Sequence, residues 1–339
     1  MGEKKSRSVR ARVLLVLINV VSLGSLVWTL RGSHLYELKD DLLEMNWWWI
    51  ALAVAVDLAV YFWHAVRWQT LLRPVVRLKY WELVRAIFVG LFANEVLPLR
   101  AGEVLRCYLL ARNRDLPLSV SLTSALIERI FDGIWLSVCV ILMLRYTVIP
   151  RSLGFLVPGA YVLGISVLAI ALVLGVIMFR RHETRAALAG ETGWRRHLHV
   201  LIDDLEIIGH SRYLWLSFLQ SMPYVVLTTV PIYATMRGFG FDSLWGVAFV
   251  VMVVLRLGTV VPQAPGNLGL FQVLVVEVLE KIFNFAHADA ARFSLVLWGI
   301  VTLPLLIGGA ISLAVTEGKL SDLHSAATSE TSQITNSRP

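Results

Sequence analysis

Between Leu91 and Asp132 an apolar polypeptide carries Asn94, Glu95, Arg100, Glu103, Arg106, Glu128, Arg129 and Asp132, together with two helix breakers, Pro98 and Gly102. No other stretch limits the possible folds as much. A charge at membrane depth is costly, so such groups face a bundle interior or a wet cavity and mark a pathway. Non-helical backbone at that depth is tolerated only where protein or water covers it. The interrupted segment therefore belongs inside an assembly of helices, and the functional site is expected there.

The rest of the chain can supply that assembly. Of 339 residues, 57% are hydrophobic and 16% charged, with a mean hydropathy of +0.69. Several apolar runs reach about 20 residues, the length a helix needs to cross hydrocarbon, and predict an all-α polytopic membrane protein. Lys and Arg ahead of Val13–Leu30 imitate a signal peptide, but the run is long and no A-x-A cleavage site follows; it reads as an uncleaved first span. Cys107 and Cys139 lie in apolar or membrane-proximal helix and imply no disulfide framework. The excess of 31 Lys and Arg over 24 acidic residues suits loops lying against anionic lipid. No basic face with interleaved aromatics on a soluble fold is visible, so nucleic acid is not an expected partner.

In order, the second span runs from Trp47, in a tryptophan cluster typical of an interface, to about Val66, and ends in Arg67, Arg73, Arg77 and Lys79. Asp57 and His64 lie within its apolar length; an internal hydrogen bond between helices is the preferred reading of both. Glu82 to Leu97 is apolar but is followed by a second basic patch, Arg112 and Arg114. Basic loops mark the cytoplasmic side, so the segment reads as a re-entrant hairpin that turns at Pro98–Gly102 and returns along Glu103–Ala111. Further spans are expected at Leu118–Leu144, Leu153–Phe179 and Tyr213–Met236, with an interfacial helix near Leu201–Ile208 or an ordinary loop helix there. The second half repeats the interrupted design: Leu244–Val261, then Pro262-x-x-Pro265-Gly266-Asn267-x-Gly269, then Leu270–Phe285. A last span, Ser294–Val315, returns the chain to the cytoplasm. The expected whole is six full spans and two re-entrant broken hairpins in an inverted-topology repeat. Residues 1–316 form the membrane domain and 317–339, rich in Ser and Thr, a disordered cytoplasmic tail.

Inverted repeats place a substrate site near the midplane, where broken ends meet; the alternative is a packing motif, since Gly and Pro are common in membrane helices. Glu103 and Arg106, three apart, share a helix face. Glu128 and Asp132, one turn apart, repel in a low dielectric and need a cation, which Arg100, Arg106 or Arg129 can be, or else a proton. Arginine forks bind phosphate at two points, so Arg100, Arg106, Arg129 and Arg256 are candidates for gripping a lipid phosphate; the alternative is that these charges neutralise one another and clamp the hairpin. No P-loop, H-E-x-x-H, Cys/His metal spacing or nucleophile elbow occurs, and neither a cofactor nor a metal is expected.

Asn94…Leu97-Pro98-x-Arg100-x-Gly102-Glu103-x-x-Arg106, followed by Glu128-Arg129-x-x-Asp132, resembles the flippase-like transmembrane family related to the lysylphosphatidylglycerol synthetase membrane region. The later Pro262-x-x-Pro265-Gly266-x-x-Gly269 resembles that family's second signature. The resemblance implies a prokaryotic multi-span protein of the plasma membrane that moves or modifies lipids or polyprenyl carriers. It also implies a substrate path along these motifs. Some members add an aminoacyl-transferase domain; nothing of that size follows the last span here, so lipid lysylation by this chain alone is not expected. The second signature usually reads Pro-Gly-Gly and continues to a glutamate; here Asn267 and Gln272 stand in those places, which puts proton coupling through that glutamate in doubt. The leading expectation is a translocator of a phosphate-bearing lipid, anionic or polyprenyl-linked, with both termini cytoplasmic. A membrane enzyme or accessory subunit acting on a lipid-linked substrate, with Glu103, Glu128 or Asp132 as acid or base, is the first alternative. A gradient-driven transporter of a small anion is the second. The sequence is also compatible with a separate soluble transferase as partner and with a homo-oligomer.

Overall fold

Asn46 starts the central helix: its side-chain oxygen accepts from the Trp48 N–H at 3.1 Å, satisfying a donor the helix itself cannot. The computed structural model describes the backbone of residues 17, 19–96, 101–114, 116–148, 154, 156–179, 208, 211–242, 245–258 and 264–336. Among them the chain is helical, with no strand. The helices are α1 (residues 19–29), α2 (Leu38–Glu44), α3 (Trp47–Leu72), α4 (Tyr80–Val96), α5 (Gly102–Arg114), α6 (Leu118–Tyr146) and α7 (Leu156–Phe179). After these come α8 (Arg212–Leu227), α9 (Thr229–Gly238), α10 (Trp245–Gly258), α11 (Leu270–Lys281) and α12 (His287–Asn336).

Helix α3 is the hub. It packs against α8 and α9 on one side and α4 on another, while α12 covers α4 and α11. Two helical hairpins fold back on themselves beside it. In the first, α4 and α5 are joined at their open end by a two-point ion pair, Arg114 to Glu82 at 2.6 and 2.8 Å. Near the turn the arms approach backbone to backbone: a methyl placed on Gly102 would run into the carbonyl of Gly90, so only glycine fits. In the second, α10 and α11 open where the rings of Phe241 and Phe285 meet at a tilt, 4.8 Å apart. That end also holds the α9 terminus, where the Asn46 N–H donates to the Gly238 carbonyl at 2.9 Å. It holds the end of α1 as well, because His287 contacts the Thr29 carbonyl at 3.0 Å. Helix α3, about 39 Å long at 1.5 Å per residue, separates this end from the base of the first hairpin. The hairpins therefore point toward one another.

Several boundaries differ from the sequence reading. Helix α3 continues to Leu72, so Arg67, taken as the basic end of a span, lies inside it. The expected single span Tyr213–Met236 is two helices, α8 and α9. Pro231 explains the break: its ring clashes with the carbonyl four residues back, that of Leu227, where α8 stops. Among the described residues, two helices are both long and apolar enough to cross a membrane, Trp47–Leu72 and His287–Thr316. Helix α6 has the length but carries Glu128, Arg129 and Asp132 at its centre, and α10 is apolar but short. The interfacial helix expected near 201–208 lies outside the described residues apart from Ile208, and so do residues 97–100 and 259–263. Past Thr316, in the expected polar tail, α12 is assigned on to Asn336.

Candidate functional site

One face of α3 carries Asp57, Val60, His64, Arg67 and Leu71 at spacings of three and four, all buried. Arg67, wholly enclosed, lies between the two stacked carboxylates of α6. Its Nε donates to Glu128 at 3.2 Å, and its Nη1 pairs with Asp132. Arg106 of α5 reaches the same Glu128 at 3.1 Å and returns to Glu103 at 2.8 Å. Arg129 pairs with Glu103 and stands 3.7 Å from Asp132. Three carboxylates thus meet three guanidinium groups. His64 completes the cluster, its Nε2 3.1 Å from Arg106 and 3.4 Å from Glu128. The cation expected to relieve Glu128 and Asp132 was Arg100, Arg106 or Arg129; the structure adds Arg67 as the one that bridges both. Arg100 lies outside the described residues, as do Pro98 and Pro262.

Beside this cluster, with His64, Glu103 and Arg129 on its wall, is a cavity of about 300 Å³. Its walls combine both hairpins and the hub: Asn94 and Glu95 end α4, Glu103 begins α5, Arg129 comes from α6 and Arg256 from α10, and Asn267 precedes α11. Arg256 lies 5.3 Å from the ring of Tyr224, which also has the Arg67 guanidinium at 4.6 Å and the His64 ring at 5.5 Å. The hairpin tips touch here, with the Asn267 side-chain amide donating to both carboxylate oxygens of Glu95 at 2.9 and 3.0 Å.

At the two motif turns, three backbone N–H groups are occupied from within, by the protein's own side chains and carbonyls. Asn94 caps α5 by accepting from the Gly102 N–H at 2.9 Å, and Gln272 accepts from the Gly269 N–H at 2.7 Å. The Asn267 N–H goes to the Ala264 carbonyl at 3.0 Å. Pro265, Gly266 and Asn267 form one tight turn, which Trp298 holds through the Gly266 carbonyl at 2.7 Å. Gly266, Asn267 and Gly269 all have positive φ, at 70°, 55° and 92°. Asparagine is among the few side chains that tolerate the left-handed region, so Asn267 keeps the turn where glycine is usual and adds the bond to Glu95. Gly269 further permits α1 to approach, since a methyl there would strike the Ser22 backbone.

Arg67, Tyr224 and the bond made by Glu95 were not foreseen from the sequence. Of the residues singled out there, Asn94, Glu103, Arg129, Arg256 and Asn267 line this one cavity, and His64 makes the interhelical hydrogen bonds expected of it. Asp57 stands apart from that reading: it lines the cavity, and its Oδ2 is buried with no hydrogen-bond partner.

A helical fold with a buried ion-pair cluster and a polar cavity between two hairpins fits a membrane protein, with that cavity as its candidate site. Residues 12–309 match the family described as the lysylphosphatidylglycerol synthase TM region, and the chain belongs to that family. It is similar to a glycosyltransferase, AglD, of Haloferax volcanii, at 25% identity over 77% of this chain and 48% of that protein. A UPF0104 membrane protein of Methanothermobacter thermautotrophicus is 23% identical over 67% of this chain and 72% of its own length. The chain thus spans about half the length of the glycosyltransferase. No solved structure matches it.

Proposed function

We propose that the chain passes a phosphate-bearing lipid, anionic or polyprenyl-linked, between the leaflets of a prokaryotic plasma membrane. The observation that carries this reading is the cavity at the meeting of the hairpin tips, with Arg129 and Arg256 on its walls. Guanidinium groups suit phosphate by charge and by their fork of donors. On this reading the hairpins are re-entrant and enter from opposite faces as halves of an inverted repeat, and both termini are cytoplasmic. The headgroup moves through the polar cavity while its chains stay in the bilayer. The saturated cluster of Arg67, Arg106, Glu103, Glu128 and Asp132 acts as the clamp that holds α3, α5 and α6 around the path.

The test is a dithionite assay on the purified chain in vesicles of phosphatidylethanolamine and phosphatidylglycerol containing a fluorescent phosphatidylglycerol. The protein is expected to expose inner-leaflet probe to the quencher. Arg256→Gln is expected to slow that exposure about tenfold, the kinetic equivalent of one charge-assisted hydrogen bond, with the rate taken on protein that its melting curve shows to be folded. Absence of movement for this and for a polyprenyl-phosphate probe would sink the reading. The name of the glycosyltransferase relative favours a second reading, action on a lipid-linked substrate. Conversion of a polyprenyl-phosphate probe to a new product by the chain would establish that one instead.

A further inference from the structure

Around the cavity, acid groups in the described structure are spoken for, with one exception. Glu128 is held by Arg67 and Arg106, Asp132 by Arg67 and Arg129, and Glu103 by Arg106 and Arg129. Glu95 receives two bonds from Asn267. Asp57 lies beside Tyr61, one turn on along α3, and feels Arg256 electrostatically. Its second oxygen, Oδ2, is sealed from solvent and meets no donor. A carboxylate oxygen buried without a partner is costly, and the cost disappears when that oxygen carries a proton.

We propose that Asp57 is a proton-binding site of the cavity, neutral while Oδ2 is sealed as seen here and ionised when the hairpins part and admit water. The proton comes from the aqueous phase on one side and leaves to the other, so the step consumes nothing else. Coupling it to lipid movement rests on the transport reading above; the proton site itself does not.

The neighbouring titratable and charged groups are poor substitutes. His64 has its Nε2 fixed between Arg106 and Glu128, so another proton there would add charge to a balanced cluster. Glu95 from α4 and Glu103 from α5 are partnered as described, and Arg129 from α6, a permanent cation, pairs with Glu103 beside Asp132. Tyr224 from α8 is flanked by Arg67 and Arg256. Helices α9, α11 and α12 contribute only apolar or hydroxyl-bearing residues to the cavity, such as Ile232, Phe271 and Thr302. Gain or loss of a proton at Asp57 therefore breaks none of the ion pairs that hold the bundle.

Two measurements on the full chain in phosphatidylethanolamine and phosphatidylglycerol vesicles test this. The first is the infrared difference spectrum between mildly acidic and alkaline buffer, both held above about pH 6 so that ordinary carboxylates, which titrate at about pH 4, stay ionised throughout. A carboxyl C=O band is expected in the wild type, in Glu95→Gln and in His64→Gln, and is expected to vanish in Asp57→Asn. That variant keeps the size of the side chain, and its melting curve reports folding separately. A band that survives in Asp57→Asn, or that is missing from the wild type, overturns the proposal. The second is dithionite quenching of fluorescent phosphatidylglycerol under an imposed pH gradient. The gradient is expected to change the wild-type rate several-fold and the Asp57→Asn rate not at all. An undiminished response in Asp57→Asn overturns the coupling. If no lipid moves but the Asp57 band is present, the transport reading fails and the proton site stands.

Discussion

Arg67 shows how one side chain sets the properties of its neighbours. Glu128 and Asp132 sit one helical turn apart, an arrangement that low dielectric forbids without a shared counter-charge. Arg67 supplies it from α3, and Arg106 supplies a second to Glu128 from α5. Removing one partner of a buried pair leaves the other charge uncompensated, which costs far more than the pair contributes. Glu128→Ala is therefore expected to destabilise the protein by about 3–5 kcal/mol, read as a large drop in the melting temperature of the detergent-solubilised chain. A melt within a degree or two of wild type would mean that the cluster is not the clamp described. The importance of Glu128 was legible in the sequence, because three charges at the centre of a long helix cannot face lipid. Arg67 was not, because the apolar run appears to end just before it and the next charges are arginines of a basic loop. The clue was its register: three residues past His64 and ten past Asp57, it falls on the same stripe of α3.

At the scale of elements, the hairpins were recognisable because Pro and Gly interrupt apolar runs twice in the same pattern. What holds each turn was not recognisable, since it depends on contacts across the hairpin. In the first, Gly102 abuts Gly90 and donates its N–H to the Asn94 side chain, which caps α5. A methyl at Gly102 would push α5 away from α4, and Arg106 rides on α5 one turn later. Gly102→Ala is thus expected to lower the melting temperature and the rate of probe-lipid movement together. Gly24→Ala has open space around its added methyl and is expected to change neither. Equal effects of the two substitutions on melting would remove the close approach as an explanation. The α8–α9 break belongs to this scale too. It was written in the sequence at Pro231, but the surrounding hydropathy stays high, and a hydropathy reading runs straight through it.

Across the whole molecule, contacts sort the element ends into two sets. One contains the base of the first hairpin, where Arg114 and Glu82 pair, and the end of α3, where Gln69 donates to the Leu78 carbonyl at 2.8 Å. Around it lie Arg73, Arg77, Lys79, Arg112 and Arg212. The other set contains Thr29 with His287, Asn46 with Gly238, and Arg292 clamped by Glu37, Asp41 and Asp289 at 2.6 to 2.7 Å. Acidic groups outweigh basic ones there, with Asp40, Glu44, Asp242 and Glu280 nearby. Loops rich in Lys and Arg stay in the cytoplasm, so the first set is expected inside and the second outside. Two single-cysteine variants test this, each with Cys107 and Cys139 replaced by Ser. Asp242→Cys, on the second set, is expected to react with a membrane-impermeant maleimide on intact cells. Asn113→Cys, one residue before Arg114, is expected to react only after the membrane is opened. Labelling of both from outside would mean that the first hairpin crosses the membrane fully instead of turning back, and its tip could not meet Asn267 from the opposite side.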